Sequence, residues 1–122
     1  MAWKAKHLDI DLADAGYQDV VVTGVVNMPA PLVRETMGIM AQVADPDNVE
    51  DLADLMPRYY KLLSLWFVQV VHGDEVTLLD TPEDIERFEE DGDWVVLGLA
   101  LNRLLRERGK RREEAKKGSS TA

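Results

Sequence analysis

Asp19-Val20-Val21-Val22-Thr23-Gly24-Val25-Val26 is the stretch on which the fold turns. Its β-branched side chains suit a pleated strand, and its unbroken apolarity predicts burial on both faces. Gly24 inside the run reads equally as a bulge or close backbone approach and as a plain weak point in the strand. Upstream, His7-Leu8-Asp9-Ile10-Asp11-Leu12 alternates polar and apolar residues, the signature of a strand with one buried face. It is joined to the first run through the turn-like Asp14-Ala15-Gly16. The two strands predict a small N-terminal β-hairpin or sheet.

Downstream the period changes from two to 3.6. Asn27-Met28-Pro29-Ala30-Pro31 punctuates the chain, and proline in a first helical turn opens a helix over about Ala30–Val43. Val33, Met37, Met40 and Ala44 define its expected face. Asp45-Pro46-Asp47-Asn48 ends it and supplies a cap for the next helix. That helix is read through Val49, Leu52, Met56, Tyr59, Leu63, Trp66 and Val70, with a kink or break at Pro57. Glu75–Leu79 reads as a short extended piece. At Thr81-Pro82-Glu83-Asp84 a capping threonine, a proline and two acids start a short helix ending near Asp91-Gly92. Asp93 then caps a last helix from Trp94 to about Gly109. Its first half, Trp94-Val95-Val96-Leu97-Gly98-Leu99-Ala100-Leu101, is apolar nearly all round and so belongs at the centre of the fold or against another subunit. The fold class is α+β, mainly α-helical, with about four helices after the N-terminal strands. Residues 1–109 form one globular domain, and 110–122 form a basic tail expected to be disordered.

The 122 residues suffice for one domain that buries roughly two thirds of its unfolded surface. With no cysteine there is no disulfide, thiolate nucleophile or usual structural zinc site. No apolar stretch approaches the ~20 residues a bilayer span needs. The N-terminal residues lack the apolar core of a signal peptide, so a cytoplasmic protein is expected. The net charge of −9 is unevenly spread: residues 1–102 carry 20 acidic and 6 basic side chains, residues 103–122 carry 3 and 8. An acidic body repels phosphate backbones, which argues against nucleic-acid binding by the domain.

Motifs for chemistry are absent. Asp45–Asp51 is acidic enough to suggest calcium, but an EF-hand starting at Asp45 needs glycine where Glu50 stands and glutamate where Met56 stands. A helix-capping acidic turn explains it. Asp9 and Asp11 fall on the solvent face of a strand. His7 and His72 have no nucleophile nearby in sequence, and Ser64, within Leu62-Leu63-Ser64-Leu65-Trp66, is the kind of serine that bonds back to a helix carbonyl. Gly16 and Gly24 lie too far apart for a phosphate loop. The expectation is a non-enzymatic protein without cofactor or metal.

The order of features resembles the tail assembly chaperones of long-tailed bacteriophages. The resemblance is carried by an acidic first strand leading to Gly16-Tyr17 and Asp19–Val22, and by the break at Asn27-Met28-Pro29 that opens a helix. Leu62-Leu63-Ser64-Leu65-Trp66 followed by His72-Gly73-Asp74, the segment Thr81-Pro82-Glu83-Asp84-Ile85-Glu86-Arg87-Phe88, and a final helix ending in charged sequence complete it. It is a similarity of layout over roughly residues 8–106. The chain departs from the family where Phe67-Val68-Gln69-Val70-Val71 stays apolar after the tryptophan. The resemblance implies a protein of the host cytoplasm that acts during virion assembly, coats the tape measure protein, helps recruit tail tube subunits and is absent from the finished particle. Self-association around that client is a further expectation. A helical client with apolar stripes calls for an apolar groove. The surplus apolar residues Met37, Met40, Trp94, Leu97, Leu101 and Leu104 are the candidates for it, with ordinary core as the other reading of each. Two alternatives remain open: a structural virion component such as a tail completion or connector protein, and a nucleic-acid-associated regulator acting through residues 103–117.

Overall fold

A computed structural model describes residues 4–91 and 95–120, apart from the side chains of residues 46, 48 and 117–120. The elements in chain order are β1 (His7–Asp11), a 3-10 turn (Ala13–Ala15), β2 (Val20–Val25), α1 (Ala30–Ala44) and a second 3-10 segment (Pro46–Asp51). These are followed by α2 (Leu52–Trp66), β3 (Phe67–His72), β4 (Glu75–Leu78), α3 (Pro82–Asp91) and α4 (Val95–Ser120). The fold is α+β and mainly helical. Its sheet is antiparallel throughout, in the order β1-β2-β3-β4, so strands from the middle of the chain complete the N-terminal hairpin.

The hairpin connections follow from local backbone preferences. Leu12, fully buried, ties the first turn to β2 by donating its N–H to the Val20 carbonyl at 3.0 Å. Gly16 supplies φ +96°, and Asp19 takes the left-handed value of +61° that short polar side chains tolerate. The β3–β4 turn uses two residues, Gly73 and Asp74, with Gly73 at φ +61° as a hairpin turn starting on glycine requires.

β2 is fully covered on one face and partly covered on the other. Val20, Val22 and Gly24 are buried; on the opposite side Val21 and Thr23 are half-buried and Val25 is buried, so the expected cover of both faces holds only toward the Val25 end. Ile10, Val22 and Val70 form one inward row. Asp9 and Asp11 are exposed, and Asp9 accepts a 2.6 Å hydrogen bond from Thr23. At Gly24 the β2–β3 register shifts, with Thr23 opposite Gln69 and Gly24 opposite Phe67, leaving Val68 as the extra residue. Gly24 is therefore both a bulge and a close approach: a Cβ there would lie 2.6 Å from Leu104 Cδ1 and 3.0 Å from the Trp66 carbonyl oxygen.

The helices depart from the sequence reading in three instructive ways. First, α2 stops at Trp66, because Phe67 is already extended at φ −115°, ψ 147°. The bulge places the buried strand positions at Phe67 and Val70, three apart, and this continues the stepping of Leu63 and Trp66 as if the helix went on. Second, the buried residues of α1 are Thr36 and Ile39, which lie off the expected face; of that face Val33 and Met40 are half-buried against the main core, while Met37 and Ala44 are exposed. Thr36 joins the core because its hydroxyl donates to the Leu32 carbonyl at 2.7 Å and accepts from the buried Trp66 indole N–H at 2.9 Å. Third, of the kink or break expected at Pro57 the break does not occur, since α2 runs through it, and Val49 is exposed ahead of the helix.

α3 begins as expected, with Thr81 and Asp84 capping each other's backbone N–H at 3.2 Å in both directions. α4 packs along β2 and β1, burying Val96, Leu97, Ala100, Leu101 and Leu104. Arg103 and Arg108 fasten it to the loops. The first donates to the Asp11 carbonyl at 2.7 Å and to the Asp14 carboxylate at 2.6 Å, the second to the Met28 carbonyl at 2.9 Å. The helix does not stop at Gly109 but runs to Ser120, so the stretch read as a tail is helical that far, with every side chain from Gly109 to Lys116 exposed. Asp93 and its cap, and residues 121–122, lie outside the described residues.

Candidate functional site

The six candidate groove residues separate. Leu97, Leu101 and Leu104 are buried in the main core, wedged between α4 and the sheet, and are not open to a partner. Their inclusion is corrected: the all-apolar half of α4 spends one side on the monomer's own core. Trp94 lies outside the described residues. Met37 is 46% exposed on the outer side of α1. Met40, half-buried, sits on the wall of a groove of about 510 Å3 between α1, α2 and α4.

The groove is lined from α1 by Met40, Val43 and Ala44, from α2 by Met56 and Tyr59, and from α3 by Glu89. α4 contributes Val95, Gly98, Leu99 and Asn102, which step by 3, 1 and 3 and so form one stripe. This is the side of α4 opposite its core-facing residues. Hence the helix read as apolar all round is covered on one side by its own sheet and is only partly covered on the other. Gly98 deepens the groove: a Cβ there would meet nothing within 4 Å, so packing does not demand glycine. The three methionine and tyrosine walls are flexible or amphipathic surfaces, suited to apolar partners of varied sequence.

Among the described residues, Glu89 is the one charged group of the lining. Tyr59 donates its hydroxyl to Glu89 at 3.3 Å. Burial pushes the Glu89 carboxyl above its ordinary range, and the tyrosine hydrogen bond only partly offsets this. The same burial, with the Glu89 charge beside it, raises the Tyr59 hydroxyl, and Tyr60 is raised by its burial and by Glu89, Glu86 and Glu90. A cationic side chain from a partner would relieve the Glu89 desolvation, giving the groove one polar reading point in an apolar wall.

Sequence reasoning missed Leu99 as a groove residue because it fits a core stripe equally well, whereas a methionine such as Met56 suits a core and an adaptable groove alike. Glu89 was hidden among the acids of α3. The single available signal was Gly98, an exception in an apolar helix. The histidines and Ser64 are not part of the groove; Ser64 donates to the Lys61 carbonyl at 2.6 Å, as a helix serine does. Among the described residues no group of three or more His, Asp or Glu could hold a metal ion, and no helix is long and apolar enough to cross a membrane. No protein-family model, curated protein or solved structure matches the chain.

Proposed function

We propose that this chain is a tail assembly chaperone of a long-tailed bacteriophage, which holds an apolar helical stripe of the tape measure protein in the α1–α2–α4 groove and helps recruit tail tube subunits in the host cytoplasm. The observation that carries the reading is the uncovered apolar stripe of α4, Val95, Gly98 and Leu99, facing Met40 and Met56 across a groove on an otherwise acidic body. Helix-in-groove recognition needs an apolar trough wide enough for anchors at i, i+3, i+4 and i+7. The layout resemblance supplies the identity of the client.

Co-expression with the tape measure protein of the same genome, followed by pull-down and light scattering, tests it. Soluble co-purification in many copies per client is expected. Gly98→Leu, which fills the groove, and Met56→Glu, which charges it, should each reduce the captured client at least tenfold while the far-ultraviolet circular dichroism is retained. An insoluble client, with this protein alone in solution and detectable by mass spectrometry in purified particles, transfers the assignment to a structural virion component.

A further inference from the structure

β4 is an edge strand, and its free side faces a second opening in the molecule. Leu79 N–H donates to the Val68 carbonyl at 2.9 Å, which fixes the phase of the β3–β4 ladder: residues 75, 77 and 79 exchange hydrogen bonds with β3. The N–H and C=O groups of Val76 and Leu78 therefore point away from the sheet, and among the described residues nothing bonds them. Their side chains are 57% and 54% exposed. On the inner face, Glu75 and Thr77 border a cleft of about 660 Å3 that runs from β4 to α3, with Val20, Val70, Phe88 and Val96 at its apolar base. α4 packs on β1 and β2, and the cleft lies open between β4 and α3.

We propose that this edge and cleft accept an extended cationic peptide as a fifth, β4-paired strand. Main-chain bonds to Val76 and Leu78 give such an addition its affinity, and alternate side chains enter the cleft. Charge selects the occupant. Among the described residues the cleft carries the acids Glu75, Asp84 and Asp91 against His72 and a single arginine, Arg87, already 3.6 Å from Asp84; Asp74 and Asp80 flank the strand at its two ends. A second copy pairing antiparallel, Val76 against Leu78, would set Asp74 of each chain opposite Asp80 of the other. Like charges directly opposite destabilise a strand pair, so the same acids that invite a cationic segment disfavour self-pairing. The inference stands apart from the groove reading, since it uses the other side of α3 and a different element.

The test uses the full chain and a capped eight-residue peptide of alternating valine and lysine, with alternating valine and glutamate as the control, read by amide hydrogen exchange. The valine–lysine peptide should slow exchange of the Val76 and Leu78 amides at least tenfold, and the control should not. Val76→Pro deletes an outward N–H without breaking a ladder bond and should weaken peptide binding at least tenfold. Glu75→Lys with Asp91→Lys should do the same with the backbone edge intact. No slowing at millimolar peptide, equal slowing by the glutamate peptide, or slowing in the protein alone that grows with its own concentration would each overturn the proposal; the last would assign the edge to a second copy.

Discussion

Gly24 sits where β2, the α2–β3 junction and α4 converge, and the groups nearest to an added Cβ differ in how far they can give. Leu104 Cδ1 can rotate aside, but the Trp66 carbonyl at 3.0 Å is backbone. Gly24→Ala should therefore destabilise the protein by about 1–3 kcal/mol in urea unfolding, as overpacked cores do. Gly98→Ala, with open space around the new methyl, should gain up to about 1 kcal/mol from helix propensity alone. Thr36 makes a similar residue-scale argument from hydrogen bonds. Thr36→Val keeps the shape but leaves the Trp66 indole N–H, on a side chain 1% exposed, without its acceptor; a loss of about 1–3 kcal/mol is expected, with Thr36→Ser recovering most of it. Glu89 gives a pH signature. Its folded carboxyl is raised above the ordinary 4.5, so the folded state holds the proton more tightly than the unfolded chain, and stability is lost as pH rises through the folded value. Glu89→Gln should raise the melting temperature relative to the parent at pH 7, and the gain should disappear as the pH is brought below 4.5.

At the scale of elements, α4 divides into a half that builds the core and a half that does not. Leu97→Asp or Leu104→Asp buries a charge in the main cluster and should unfold the protein, so neither reports on partner binding; Leu99 and Met56 are the positions where a substitution does. The last residue of α4 fastened to the body is Arg108, through Met28. Beyond it, among the described side chains, the helix continues with an Arg111–Glu107 pair at 3.1 Å within α4 itself and is exposed from Gly109 to Lys116. A chain ending after Gly109 should accordingly keep its unfolding free energy within about 0.5 kcal/mol, whereas one ending after Leu101 loses the buried Leu104 and both arginine anchors and should not fold. Circular dichroism melts of the two truncations separate these outcomes. Arg103 adds an acid-sensitive tie: its hydrogen bond holds the Asp14 carboxyl below the ordinary range, so this contact is present at neutral pH and is lost as pH falls through the depressed value.

For the molecule as a whole, one acidic body presents two distinct openings on opposite sides of α3: the apolar, methionine-lined groove beside α4, and the acid-bordered cleft beside β4. The sequence by itself determined the strand pair 7–11 and 20–25, the starts of α1 and α3, the short strand after Gly73, and that the first half of α4 is covered, by the core or by another subunit. Each of these rests on interactions between near neighbours: β-branched runs, a proline at a helix start, a reciprocal Thr81–Asp84 cap, an apolar helix surface. Tertiary structure alone decided where α2 ends, which face α1 buries, and which side of α4 is left uncovered. The bulge opposite Gly24 makes Phe67 and Val70 imitate helical spacing. Thr36 enters the core with its hydroxyl satisfied on both sides, by the local Leu32 carbonyl and by Trp66, thirty residues away. Leu97, Leu101 and Leu99 share one helix and one hydropathy. Whether each meets the sheet or the groove depends on the angle at which α4 lies across β2, which no local pattern encodes.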